Sequence, residues 1–127
     1  MKTFVKNLVR SLLQADTKFA IVQFSTSPQI HFYFSDNLIS GTASWESKVD
    51  EIRQLRGYTY TAKAIESVVN DVFTPTKGSR PNVNKVLIVI TDGESNDRIN
   101  LPSAISLAEH KKIVRFAFGV SSRILNQ

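Results

Sequence analysis

Lys85-Val86-Leu87-Ile88-Val89-Ile90-Thr91-Asp92-Gly93-Glu94 decides the fold. The uninterrupted apolar run from Val86 to Ile90 is the pattern of a strand buried on both faces, which belongs to a parallel sheet with helices on either side. Asp92-Gly93 ends the strand abruptly, since both residue types favour turns over ladders. In open sheets of this kind ligand chemistry gathers at the carboxyl ends of the strands. The turn carrying Asp92 is therefore the first place to look for a site.

Working outward, Pro102 can open a helix carrying Ala104, Ile105, Leu107 and Ala108, and Ile113 to Val120 reads as the final strand. Upstream, Thr61, Ala64, Ile65, Val68, Val69, Val72 and Phe73 keep a continuous helical stripe that Pro75 and Gly78 close. Trp45, Val49, Ile52 and Leu55 predict a shorter helix ended by Gly57, with a polar connection from Asp36 to Thr42 before it. Phe19 to Phe24 and Ile30 to Phe34 predict two strands, antiparallel because the turn Ser25-Thr26-Ser27-Pro28 between them is short. Phe4, Val5, Leu8, Val9, Leu12 and Leu13 lie opposite Lys2, Lys6 and Arg10, predicting an amphipathic helix over 2–14. The alternation of strands and helices gives an α/β layered fold in one domain, with no repeat or linker.

Composition narrows the function. The 127 residues are 42% hydrophobic and 21% charged, as in a globular protein with a buried core. Sixteen Lys and Arg against eleven Asp and Glu give a net charge of +5, which favours acidic partners without identifying one. The absence of Cys excludes disulfides, thiolate metal sites and Cys nucleophiles. No apolar run approaches the roughly 18 residues of a membrane span. Lys6 and Arg10 interrupt any signal-peptide core, so the opening reads as mature domain sequence.

Two short stretches lie where such a fold puts a site: Thr59-Tyr60-Thr61 at a helix start and Thr91-Asp92-Gly93-Glu94 at a strand end. A hydroxyl and a carboxylate brought together there are hard oxygen ligands of the kind Mg²⁺ accepts, with water and an incoming carboxylate completing an octahedron. The same residues also suit a helix N-cap and a turn, and residue types alone leave both readings open.

Residues Gln54 to Ile65, Val68-Val69 and Lys85 to Glu94 resemble the inserted ligand-binding (I) domain of integrin alpha subunits, particularly the leukocyte alpha-X, alpha-D and alpha-M type. Gln23-Phe24-Ser25, His31 to Phe34, Gly78-Ser79-Arg80 and Val114 to Val120 extend the similarity over roughly residues 2–120. The resemblance implies a Rossmann-like von Willebrand factor type A fold, a mostly parallel sheet flanked by helices. It also implies a metal-ion-dependent adhesion site for Mg²⁺ or Mn²⁺, with Thr61 and Asp92 as metal ligands; Glu94 borders the ligand surface without coordinating. Cell adhesion, a beta subunit as partner, acidic extracellular protein ligands and the outer face of a plasma-membrane receptor follow in the same way, for a binding module rather than an enzyme.

The departures carry equal weight. The family's remaining ligands come from an Asp-x-Ser-x-Ser motif on the first strand, and no such pattern occurs here; Ser25-Thr26-Ser27 lacks the Asp. The first strand and the C-terminal strand and helices of the family are missing, so residues 1–127 are expected to form a partial I domain. With only Thr61 and Asp92 left, metal binding is expected to be weak or absent. The first strand of such a sheet lies centrally, between the strands at 19–24 and 86–91. Its loss predicts poor folding alone, or direct re-pairing of those two neighbours.

The other chemistry is bland. His31 and His110, without HExxH or Cys, make no zinc motif, and neither G-x-S-x-G nor a phosphate-binding glycine loop occurs. Lys77, Arg80 and Lys85, and His110, Lys111, Lys112 and Arg115, read as solvated basic faces, and no aromatics interleave with them as nucleic-acid binding requires. Trp45 reads as a core residue on a helix face. Two alternatives stand beside the integrin reading. One is a von Willebrand type A module of a secreted matrix protein. The other is a metal-dependent hydrolase using Asp92 and Glu94, which lacks an identifiable base and pocket.

Overall fold

A computed structural model of the chain describes residues 2–12, 17–36, 45–53, 55, 57–91 and 95–119. In chain order these form α1 (Lys2–Leu12), β1 (Ile21–Phe24), β2 (Pro28–Phe32), α2 (Trp45–Asp50), α3 (Thr61–Ser67), β3 (Lys85–Thr91), α4 (Leu101–His110) and β4 (Ile113–Gly119). α3 runs on into a wide turn, Val68–Val72, in which the Phe73 amide reaches back to the Val68 carbonyl at 3.0 Å. The helical stripe expected through Phe73 is thus present, with its last turn loosened.

Among the described residues the strands make two separate two-stranded sheets. β1 pairs with β2 antiparallel across the turn 25–27, and Pro28, opposite Phe24, opens the second strand at a position where a missing N–H is tolerated. β2 therefore starts earlier than the apolar pattern implied, and Phe34 has already left it for a 3-10 turn, Phe34–Asp36. β3 pairs with β4 in parallel, in register from Lys85↔Ile113 to Thr91↔Gly119. Among the described residues β1 and β3 do not pair, so the expected re-pairing of these two strands is absent.

The core sits on one face of the parallel pair. Ala62, Ile65 and Val69 of the α3 helix and its extension meet Ala104 and Ala108 of α4 over Ile113, with Leu87, Val89, Leu101, Leu107 and Phe73 packed around them. Alanines at 104 and 108 allow close approach of α4 to α3, which the large residues at 65 and 113 then fill. The other face carries Val86, Val114, Phe116 and Phe118, all exposed, although Phe118 meets Phe4 of α1 with ring centroids 5.6 Å apart. The expectation of burial on both faces of β3 is thereby corrected: among the described residues, α3 and α4 cover one face, where Leu87 and Val89 are half-buried, and α1 touches the other only in part.

The helix expected over 45–55 stops at Asp50. The Ile52 amide makes a tight bond to the Val49 carbonyl at 3.1 Å, and the Arg53 carbonyl accepts from Gln23 Nε2 at 2.6 Å instead of continuing a helical ladder. Ile52 and Leu55 keep their burial by lining, with His31, Phe32 and Lys48, a cavity of about 450 Å³ against β2. Gly57 does not cap this helix. It stands at φ +115°, where a Cβ would lie 2.6 Å from Thr26 Oγ1, so the glycine serves a close chain crossing.

Candidate metal-ion and ligand site

Thr61 opens α3 and is 8% exposed, a buried polar residue in an otherwise apolar set. Two segments fix its place. The Tyr60 amide donates to the Ser25 carbonyl at 3.0 Å, just past the end of β1, and the Tyr58 amide donates to Thr26 Oγ1 at 3.1 Å. The second segment is Ser95-Asn96-Asp97, which follows β3 in the chain. The Asn96 amide donates to the Thr59 carbonyl at 2.7 Å, while Asn96 Oδ1 accepts from the Thr59 amide at 2.7 Å. Asp97 Oδ1 accepts from the Ala62 amide at 3.0 Å and Oδ2 from the Lys63 amide at 2.8 Å. The start of α3 therefore lies between the residues just past β1 and the segment 95–97.

The capping is unusual in its source. Tyr60 holds the N-cap position without a side-chain bond, and Asp97 satisfies the orphan amides of the first turn from 34 and 35 residues away. Ser95 Oγ donates to Asp97 Oδ1 at 2.6 Å. Partial burial pushes the Asp97 carboxyl's pKa up, but the hydrogen bonds from Ser95, Lys63, Ala62 and its own amide prevail and hold it below the usual Asp value.

Of the expected ligands, Thr61 is placed at the helix start as the spacing implied, while Asp92 and Glu94 lie outside the described residues. Among the described residues no group of three or more His, Asp and Glu side chains could hold an ion. Asp97 is the nearby carboxylate, and both its oxygens already accept amide protons. Among the described residues the Thr61 hydroxyl is one hard oxygen donor of the kind Mg²⁺ or Mn²⁺ accepts, and one donor falls short of a coordination shell.

Asn96 and Asp97 were not legible as site residues. The one available signal was an Asx pair just after the Asp92 turn, a residue type that accepts from backbone amides at helix starts. Around the site, the rings of Tyr58 and Tyr60 stack at 5.7 Å, and Ile99 is 90% exposed. The basic residues stand apart in other contacts: Lys77 lies over the Tyr33 ring at 4.5 Å and Arg115 donates to the Ile113 carbonyl at 2.9 Å. His31 bonds to Gln23 across the antiparallel sheet at 2.9 Å, and burial lowers its pKa.

A parallel strand pair with α3 and α4 on one face, and a buried Thr at the start of α3, fits the von Willebrand factor type A family, whose pattern matches residues 1–127. The chain is a member of that family, with its α/β fold. Among curated proteins it is 44% identical over 128 residues to integrin alpha-X of Mus musculus, covering 100% of this chain and 11% of that one. It is 37% identical over 123 residues to integrin alpha-M of Mus musculus, covering 96% of this chain and 10% of that one. The chain thus spans about a tenth of these relatives. Among solved structures, proximal thread matrix protein 1 from the mussel byssus, with a zinc occupied MIDAS motif, superposes with a TM-score of 0.76 at 22% identity over 94% of this chain and 32% of that chain. The relatives among integrin alpha chains are adhesion proteins rather than enzymes.

Proposed function

We propose that the chain forms part of the ligand-binding I domain of an integrin-type alpha chain, on the extracellular side of a plasma-membrane receptor that works with a beta subunit. The observation that carries this reading is Thr61, buried at the start of α3 and tied on both sides to the segment that follows Asp92. Thr61 and Asp92 are the residues of this chain that would hold Mg²⁺ or Mn²⁺. A bound ion of that kind supplies an open coordination position for the Glu or Asp of an extracellular protein ligand. The role of this chain's residues is to orient the two oxygen donors.

The sequence holds no Asp-x-Ser-x-Ser motif, and β1 and β3 lie in separate sheets. Both features support a partial domain over residues 1–127, with weak metal binding by this segment itself. Among the described residues no helix is long and apolar enough to cross a membrane.

The test is Mg²⁺-dependent adhesion of cells displaying the full-length protein to an immobilised acidic protein ligand. Adhesion lost on chelation, and lost again in Thr61→Ala and in Asp92→Ala, is the expected result. Adhesion indifferent to both substitutions overturns the reading. For the segment itself, calorimetry finding a micromolar one-to-one Mg²⁺ site that vanishes in Asp92→Ala would overturn the expectation of weak binding.

A further inference from the structure

We infer that the cavity between the β1–β2 hairpin and the end of α2 is a binding site for a small amphipathic carboxylate, with its apolar end against Phe32, Ile52 and Leu55 and its carboxylate between Lys48 and Arg53. The inference goes beyond the adhesion reading and does not draw on it, since Thr61 is not among the residues that line this cavity.

The cavity holds about 450 Å³, within the range of small-molecule sites. Its lining is graded from apolar to charged. Phe32 is buried and Ile52 and Leu55 are half-buried, whereas Lys48, Glu51 and Arg53 are exposed, so the apolar groups form the interior and the charged groups the mouth. The polar groups of the interior are already matched. Gln23 Nε2 donates to the Arg53 carbonyl at 2.6 Å, which leaves Gln23 Oε1 to accept from His31 Nε2 at 2.9 Å. Burial lowers the His31 pKa, so the ring is neutral near pH 7 and adds no charge to the cavity. The bond from Gln23 also fixes the backbone of Arg53 against the hairpin.

The charges at the mouth are not matched. Elsewhere on α2, Glu46 is neutralised by Arg10 and Asp50 by Lys6, both from α1. Lys48, Glu51 and Arg53 take no part in those pairs and have no ion-pair partner among the described residues. Two cations against one anion leave the mouth with a charge of +1. A monoanion with an apolar tail complements both properties of the cavity: the carboxylate accepts from the Arg53 guanidinium and the Lys48 ammonium, and the tail displaces water from the apolar interior. A neutral apolar ligand would leave both cations unused, and a multiply charged anion would meet Glu51.

The experiment is calorimetric titration of the full-length protein with 4-phenylbutyrate, with neutral 4-phenylbutyramide and with acetate. The expected result is saturable one-to-one binding of 4-phenylbutyrate, with the amide and acetate each about tenfold weaker or more, because the first lacks the charge and the second the apolar end. Arg53→Gln and Lys48→Gln each weaken 4-phenylbutyrate about 3–10-fold and leave the amide unchanged. Glu51→Gln binds 4-phenylbutyrate more tightly, since it removes the one anion at the mouth. Lys111→Gln, which alters an exposed cation outside the cavity lining, binds like wild type. Lys48, Glu51 and Arg53 are exposed and unpaired, so these substitutions leave the fold intact. The absence of saturable binding, equal affinity for the acid and its amide, unchanged affinity in both Arg53→Gln and Lys48→Gln, weaker binding in Glu51→Gln, or an equal loss in Lys111→Gln overturns the inference. None of these outcomes bears on the adhesion reading, which is tested at Thr61 and Asp92.

Discussion

The two halves of the molecule are held by different forces. The β3–β4 half, with α3 and α4, packs Ile65, Val69, Ala104, Ala108 and Ile113 into a continuous apolar cluster. In the β1–β2 half, α1 and α2 each bury a single Val, Val9 and Val49, and meet through Lys2 on the Asp50 carbonyl, Lys6 with Asp50 and Arg10 with Glu46. Burial of apolar area is the larger stabiliser, since exposed ion pairs exchange one polar environment for another and are screened by salt. The halves join through α3 and its flanks, where Phe73 meets Phe34 at 5.3 Å, Gly78 presses on Ser35 and Tyr60 bonds to Ser25, and through Phe4 of α1 against Phe118 of β4. Stability is thus concentrated in the half that presents Thr61, which is the half a ligand site needs to be rigid.

The sharpest way to break this contrast is Ile113→Ala. The residue is 2% exposed at the centre of the cluster, and its truncation should cost about 2–5 kcal/mol, read as a drop in the urea midpoint of the full-length protein. A loss no greater than that of Arg10→Ala would show that the cluster is not the main support. Next in size is Gly78→Ala. The position stands at φ +91° and an added Cβ would lie 2.5 Å from the Ser35 amide nitrogen, so the cost should exceed the roughly 1–2 kcal/mol of the left-handed backbone alone. Thermal melting that leaves Gly78→Ala equal to wild type would mean the junction yields freely.

Asp97→Ala follows, with a stability cost of about 0.5–2 kcal/mol from the lost cap. Its pH dependence identifies the cause. The folded carboxyl lies below the ordinary Asp value, so its stabilisation is complete above the unfolded pKa and disappears as pH falls through the folded one. The gap in melting temperature between wild type and Asp97→Ala should accordingly be full near neutrality and close on acidification below about pH 4. A gap that is constant with pH would point to packing instead. The smallest effect belongs to Arg10→Ala. The pKa of its guanidinium is raised, and that of the Glu46 carboxyl lowered, by the hydrogen bond they share at the surface. Its small effect on melting should vanish at high salt, and persistence there would overturn the polar account of the α1–α2 contact.

Much of this architecture was legible in residue order. The run at 85–91 forms the parallel strand with the bounds its pattern gives, and the α4 helix and the final strand follow it, the strand through Gly119, with Val120 outside the described residues. Thr61 was legible as the start of α3 because the apolar stripe begins there. The end of α2 was not, because Gln23 captures the Arg53 carbonyl from another strand and local periodicity carries no record of that. Burial on both faces of β3 was over-read for a similar reason: an apolar run states what a strand can bury, whereas the elements beside it settle how much is covered.

Residue types and spacing by themselves determined the α/β order, the family resemblance, the absence of thiol chemistry and the placing of Thr61 and Asp92 at element ends. Those properties are local or additive, and they are written in neighbouring residues. Only the tertiary structure decided that, among the described residues, β1 and β3 stay unpaired and one sheet face is left largely open, and that Asp97 caps a helix 34 and 35 residues earlier in the chain. A backbone amide accepts any suitably placed carboxylate, and which one arrives is fixed by the packing of α3 against α4 rather than by either segment's own sequence.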